Sequence, residues 1–290
     1  MNLRDARDRA VQVVRNLPYL PGVLSPLNRA APWSELEPDN YETYHHFVYA
    51  AYSALLPIYA PFRQSPHLPY EVPERLVQID DNQAWFFLNG ICTSRSALRV
   101  NGRALATLFN RRINLMHNPS DGALLDLLEC ALGRKMQFVS SLESSVASIL
   151  EEALQTRDKV VLIVHSQGGI ISTNALYLLR ERLGTERQSL LTKLELYSFA
   201  SAATELTMPE IRAEHFYHTE DYVARIGVGG YPERFSGRLF PASGSGHLLN
   251  THYLVSFVNG DFEPAAGPPS QLWRYLRKRK LPARAEQVGV

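Results

Sequence analysis

Cysteine is scarce in this chain, with only Cys92 and Cys130 in 290 residues. A disulfide framework would need more, and the pair lacks metal-ligand spacing, so both read as reduced thiols. Net charge is almost absent as well. Thirty basic side chains face 29 acidic ones, for a formal charge of +1, which gives no reason to expect nucleic acid as a partner. No internal repeat or low-complexity tract stands out. The opening MNLRDARDRAVQVVRN alternates acids and bases where a secretion signal would carry an apolar run. A cytoplasmic location is the resulting expectation. The histidines and carboxylates show no convincing zinc spacing, so neither a metal nor a cofactor is expected.

The composition, 45% hydrophobic and 20% charged, is that of a globular chain with enough apolar residues for one sizeable core. Three regions differ in character. Residues 1–73 are rich in proline and tyrosine and read as a helical extension, with helices expected over Arg4–Asn16 and Tyr41–Leu56, the second stopped by Pro57. Residues 74–262 alternate strand-like and helix-like segments and form the core. Residues 263–290 are a C-terminal tail or helix carrying the basic run RYLRKRK, which reads as a solvated end with membrane contact not favoured. Thr43–Phe62 contains no Asp, Glu, Lys or Arg, yet its histidines, tyrosines, Pro57 and Pro61 make it a poor membrane span. It is expected to pack on the core, with aromatics such as Tyr52 and Tyr59 bordering the site as a lid or acyl-pocket element.

Within the core, AWFFLNG, INLMHN, VVLIV, KLELYSFAS, EHFYHT and SGRLFP read as strands. NGRALATLFNRR, GALLDLLECALGRK, SLESSVASILEEALQ, GIISTNALYLLRERL and LLNTHYLVSFV read as helices. Ser140 and Glu143 have capping-box spacing, and Gly184 marks a helix stop. VVLIV lacks polar alternation, as expected of a strand covered on both faces in a parallel sheet. The alternation as a whole predicts a three-layer α/β fold with right-handed crossovers.

The stretch VVLIVHSQGGIIS, Val160–Ser172, joins that strand directly to Ser166 and then to a helix. Open α/β sheets place ligands at the carboxyl ends of their strands, and a helix N-terminus there favours developing negative charge. Gly168 and Gly169 suit the close backbone approach of a tight strand-to-helix turn. His165, Ser166, Gln167, Gly168 and Gly169 resemble the HSQGG nucleophile elbow of lipase-like serine hydrolases in the α/β-hydrolase superfamily, and the likeness extends from about Trp85 to Val258. Val164 departs from the pattern, since glycine is usual two residues before the serine.

The resemblance implies a mostly parallel sheet with helices on both faces and a triad in the order nucleophile, acid, histidine. Asp221 in TEDYVARIG is the preferred acid, with Glu205 as the alternative. His247, after a Ser/Gly run, is preferred as the base over His252. His165, His215 and His218 are expected to pack or hydrogen-bond structurally. FFLNGICT resembles the family's oxyanion loop, which implies backbone N–H groups of Ile91 and Gln167 as oxyanion donors and Gly90 as the close-approach residue. Asn89 either adds a donor or caps the loop. The implied chemistry is hydrolysis of a small acyl ester through an acyl-enzyme. A thioesterase or acyltransferase is the alternative, and a catalytically silent binding protein on the same fold is the rival of another class.

Overall fold

The computed structural model describes residues 3–28, 31–55, 82–91, 93–118 and 139–276. Cys92, Cys130, the helix expected over 122–135, Pro57, Tyr59, Pro61, the boundary near residue 73 and the tail beyond Leu276 lie outside these residues.

Among the described residues six strands form one sheet, ordered β2-β1-β3-β4-β5-β6 and parallel at every pairing. They are β1 (Gln83–Leu88), β2 (Ile113–Met116), β3 (Lys159–His165), β4 (Leu194–Phe199), β5 (Arg212–His218) and β6 (Arg238–Ala242). The apolar run of β3 is covered on both sides, as its lack of polar alternation requires. Val161 and Ile163 enter one packed layer with Trp85, Phe87, Tyr197, Phe199 and Phe216. Val160, Leu162 and Val164 enter the other with Leu88, Leu194 and Leu196. Fully burying each of these side chains contributes about 1.5–3 kcal/mol.

The first layer is closed by α3 (Arg95–Phe109) and by the segment after β6, where a wide π turn, Leu249–Leu254, leads into α7 (Val255–Asn259). The second is closed by α4 (Val139–Thr156) and α5 (Gly168–Arg187). The result is a three-layer α/β architecture. Ser94 caps α3 by accepting from Ala97 N–H at 3.1 Å, so this helix begins ahead of the expected Asn101. Helix α4 begins at Val139, one residue before Ser140, and Glu143 accepts from Asn174 on α5. Gly184 kinks α5 with φ +58° without ending it, and one further turn follows.

The N-terminal residues lie against this core. Helix α1 (Leu3–Asn16) and the 3₁₀ stretch Leu17–Leu24 place Val13, Tyr19, Leu20 and Val23 on Tyr222, Val223 and Ile226 of α6 (Tyr222–Ile226). Helix α2 (Tyr44–Leu55) packs on α3 through Phe47 and Ala50 and leaves Tyr52 exposed. At the other end, the Ser270 hydroxyl and the Gln271 N–H donate to the buried Glu214, and Leu272 is fully buried. The chain just beyond Phe262 therefore packs on the core. No helix among the described residues is long and apolar enough to cross a membrane.

Candidate active site

Strand order reverses between β1 and β3, with β2 on one side and β4 on the other, so a crevice opens at their carboxyl ends. Ser166 is the first residue beyond β3 at that crevice. Its N–H continues the sheet by donating to Phe199 O at 3.1 Å, and its carbonyl accepts from Gly169 N–H at 2.9 Å as α5 begins. Satisfying both in one step forces φ to +57°, a region that costs a non-glycine residue about 1–3 kcal/mol. The strain throws the hydroxyl out of the strand–helix corner. Val164, where glycine is usual, is fully buried in the layer formed by α4 and α5.

The loop after β1 crosses directly over this corner. A Cβ on Gly90 would lie 2.5 Å from Ser166 Cβ and 2.9 Å from its Oγ, so only glycine permits the approach. Gly168 is equally confined, since a Cβ there would stand 2.6 Å from Leu88 O and 2.8 Å from Asn89 O. Asn89 braces the two loops. Its amide donates to Gly90 O at 2.6 Å and Asn118 O at 3.3 Å, while its Oδ1 accepts from Asn118 N–H at 2.9 Å. Asn118 then donates to Gln167 Oε1 at 2.6 Å. Of the two roles read for Asn89 from sequence, these bonds match the loop cap.

β5 and β6 deliver the remaining groups. Asp221 caps α6 by accepting from Val223 N–H at 3.0 Å and is fully buried. Its Oδ2 accepts from His247 Nδ1 at 2.8 Å and from the Tyr253 hydroxyl at 2.7 Å. His247 Nε2 lies 2.8 Å from Ser166 Oγ. Serine, imidazole and carboxylate thus form one chain of hydrogen bonds. Burial pushes the Asp221 carboxyl up, but the charge of His247 and the bonds from His247, Tyr253 and Val223 outweigh it and hold the group below its usual value.

The other candidates stand elsewhere. Glu205 is exposed in the loop after β4. His252 turns from the serine: its Nδ1 accepts from Leu248 N–H at 2.9 Å and its Nε2 donates to Pro26 O at 2.8 Å. His215 is satisfied by Ser198 and Ser236, and His218 stacks between Tyr253 and Phe262. His165 donates from Nε2 to His247 O at 2.7 Å, and burial together with repulsion from His247 lowers its pKa to about 3. It is therefore a neutral donor beside the site. No cluster of three or more His, Cys, Asp or Glu that could hold a metal occurs among the described residues. Tyr253, Asn118 and Glu35 were not legible from sequence as residues of the site or its surround, because each acts through a contact with a sequence-distant partner.

The site lies on a three-layer α/β fold, at the carboxyl ends of a parallel sheet. Residues 138–206, which carry the Ser166 elbow, match the family model described as "Putative serine esterase (DUF676)". No curated protein matches the sequence. Among solved structures, one titled as that of an arylesterase shares 11% identity over 78% of this chain and 95% of its own, with a TM-score of 0.45. The Francisella virulence factor BioJ shares 10% identity over 81% and 99%, with a TM-score of 0.39. Both likenesses are remote.

Proposed function

We propose that the protein is a serine hydrolase that cleaves carboxylic esters through an acyl-enzyme on Ser166. The observation that carries this reading is the 2.8 Å contact of His247 Nε2 with the hydroxyl of a serine held at positive φ, backed by the buried Asp221. The family match over the elbow supports it. In the reaction, His247 Nε2 takes the Ser166 proton as Oγ bonds to the ester carbonyl carbon. Asp221 keeps the Nδ1 proton in place and stabilises the imidazolium. The carbonyl π electrons move to oxygen, where the N–H groups of Ile91 and Gln167 stabilise the oxyanion at the start of α5. Collapse breaks the C–O bond, and His247 returns its proton to the departing alkoxide. Water, deprotonated by the same imidazole, then releases the carboxylic acid. The substrate is a small acyl ester, and no metal or cofactor takes part in these steps.

Turnover of a panel of acyl esters by the purified protein and by Ser166→Ala tests the reading. Loss of the hydroxyl should lower kcat by about 10⁴- to 10⁶-fold. Unchanged hydrolysis in Ser166→Ala would eliminate it.

A further inference from the structure

His247 is held at both of its backbone polar groups. Its carbonyl accepts from His165 Nε2, on the core side, while its N–H donates to Val23 O at 2.7 Å, in the N-terminal extension. The flanking residues repeat the second arrangement. Ser245 Oγ donates to Ser25 O at 3.0 Å, and Leu248 N–H reaches Pro26 O through the His252 ring. A few residues on, the Glu35 carboxylate accepts four bonds. They come from Asn250 N–H at 2.7 Å, Thr251 N–H at 2.9 Å, the Thr251 hydroxyl at 2.7 Å and the Asn101 amide at 2.8 Å. Asn250 also donates to Trp33 O at 2.8 Å and accepts from Asn101 at 3.0 Å.

The chemistry of these contacts is specific. The first N–H groups of the turn Leu249–Leu254 have no partner within the turn, and a carboxylate there satisfies two of them and complements the turn's positive end. Bonds to an ionised acceptor are about twice as strong as neutral ones. The loop they restrain needs restraint, because Gly244 and Gly246 on the approach to His247 both have positive φ, at +148° and +87°. A displacement of about 1 Å at a reacting group can cost about 10²-fold in rate.

We propose that residues 23–28 and 31–35 form a clamp that sets the His247 imidazole on Ser166, with Glu35 as the positioning residue that anchors it. The inference rests on the proposed roles of Ser166, His247 and Asp221. Glu35 touches none of the reacting atoms and acts through the turn that follows His247.

Glu35→Gln keeps the shape but replaces one acceptor oxygen with a donor amide that faces N–H groups. Its kcat, per site titrated with a fluorophosphonate, should fall by about 10- to 100-fold with KM within about twofold of wild type, and the labelling rate should fall by the same factor. Glu35→Asp, which keeps the charge on a shorter arm, should lie between the two. A purely structural role would lower the thermal midpoint and leave kcat per titrated site at the wild-type value, and that result would overturn the clamp. Should Glu35→Gln not fold, Thr251→Val removes one bond to the carboxylate and is expected to lower kcat about 3- to 10-fold, where no change overturns the proposal equally. Ser166→Ala separates the two levels. If it retains turnover, the site reading fails. If it loses turnover while Glu35→Gln and Thr251→Val keep the wild-type kcat, only the clamp fails.

Discussion

The elbow at Ser166 and the loop at His247 meet across 2.8 Å, yet they are held by different parts of the chain. The elbow is supported by its own strand and helix: β3 ends, α5 begins, and the bonds of Ser166 N–H and carbonyl go to the adjacent strand and to the first turn of the helix. The histidine loop has no such local frame. It is glycine-rich, with backbone and side-chain bonds to Val23, Ser25, Pro26 and Glu35 from the far end of the sequence. The proposed nucleophile is strained into place by two contiguous elements, whereas the proposed base is positioned by an agreement among remote segments. Substitutions in the elbow should therefore remove chemistry, and substitutions around the loop should misalign it.

The largest separation is expected from the groups in direct contact. Beside the loss predicted for Ser166→Ala, Asp221→Asn should lower kcat by about 10⁴-fold, because the amide cannot hold the imidazole in the tautomer that accepts from Ser166. Glu205→Gln, exposed in the loop after β4, should leave kcat unchanged. Steady-state kinetics on one ester checks both, and a reversed ranking would move the acid to the loop after β4.

A smaller effect should separate the two regions by mechanism. Gly246 has φ +87°, and a Cβ there would stand 2.5 Å from the His252 ring. Gly246→Ala should strain the histidine loop by about 1–3 kcal/mol, with a lower urea midpoint and a reduced kcat but an intact Ser166 turn. Wild-type midpoint and kcat together would show that the loop does not depend on this conformation.

Much of the fold was open to sequence reading because its signals are local. Strands β1 and β3 carry their apolar runs in contiguous residues, and strands alternating with helices determine a parallel sheet. Among the described residues every strand pairing is parallel, in keeping with the mostly parallel sheet expected. Ser166 was legible for the same reason: its turn is written in Val160–Ser172. Choosing between His247 and His252 was harder, since the distinction depends on Pro26 O and Leu248 N–H engaging the second ring. Glu35 was invisible, as its partners Asn101, Asn250 and Thr251 are distant in the chain and none is a charged residue that would advertise a pair. Tyr253, whose hydroxyl donates to Asp221, sits in an apolar helical pattern and reads there as core.

The smallest effect per residue should fall on both regions alike. Burial lowers the pKa values of His117, His165, His215, His218 and His252, to about 3 for His165 and about 4 for His215. Unfolded, each titrates near 6.5, so below that pH the unfolded chain binds protons that the folded one refuses. Their contribution is complete above pH 6.5 and is lost progressively as pH falls from there toward 3–4. The lowered Asp221 adds a loss in the same direction below its ordinary value of 3.8. Urea denaturation at pH 7.5 and 5.5 should show the lower stability at 5.5, and greater stability at 5.5 would contradict the burial of neutral imidazoles.

The most direct test of the central claim is covalent. Incubation of the full chain with a fluorophosphonate, followed by peptide mass spectrometry, should place a single adduct on Ser166 in the wild-type protein, with labelling abolished in Ser166→Ala and in His247→Ala, the two partners of the 2.8 Å contact. An adduct on another residue, or labelling of Ser166 at the wild-type rate after His247→Ala, would contradict the account.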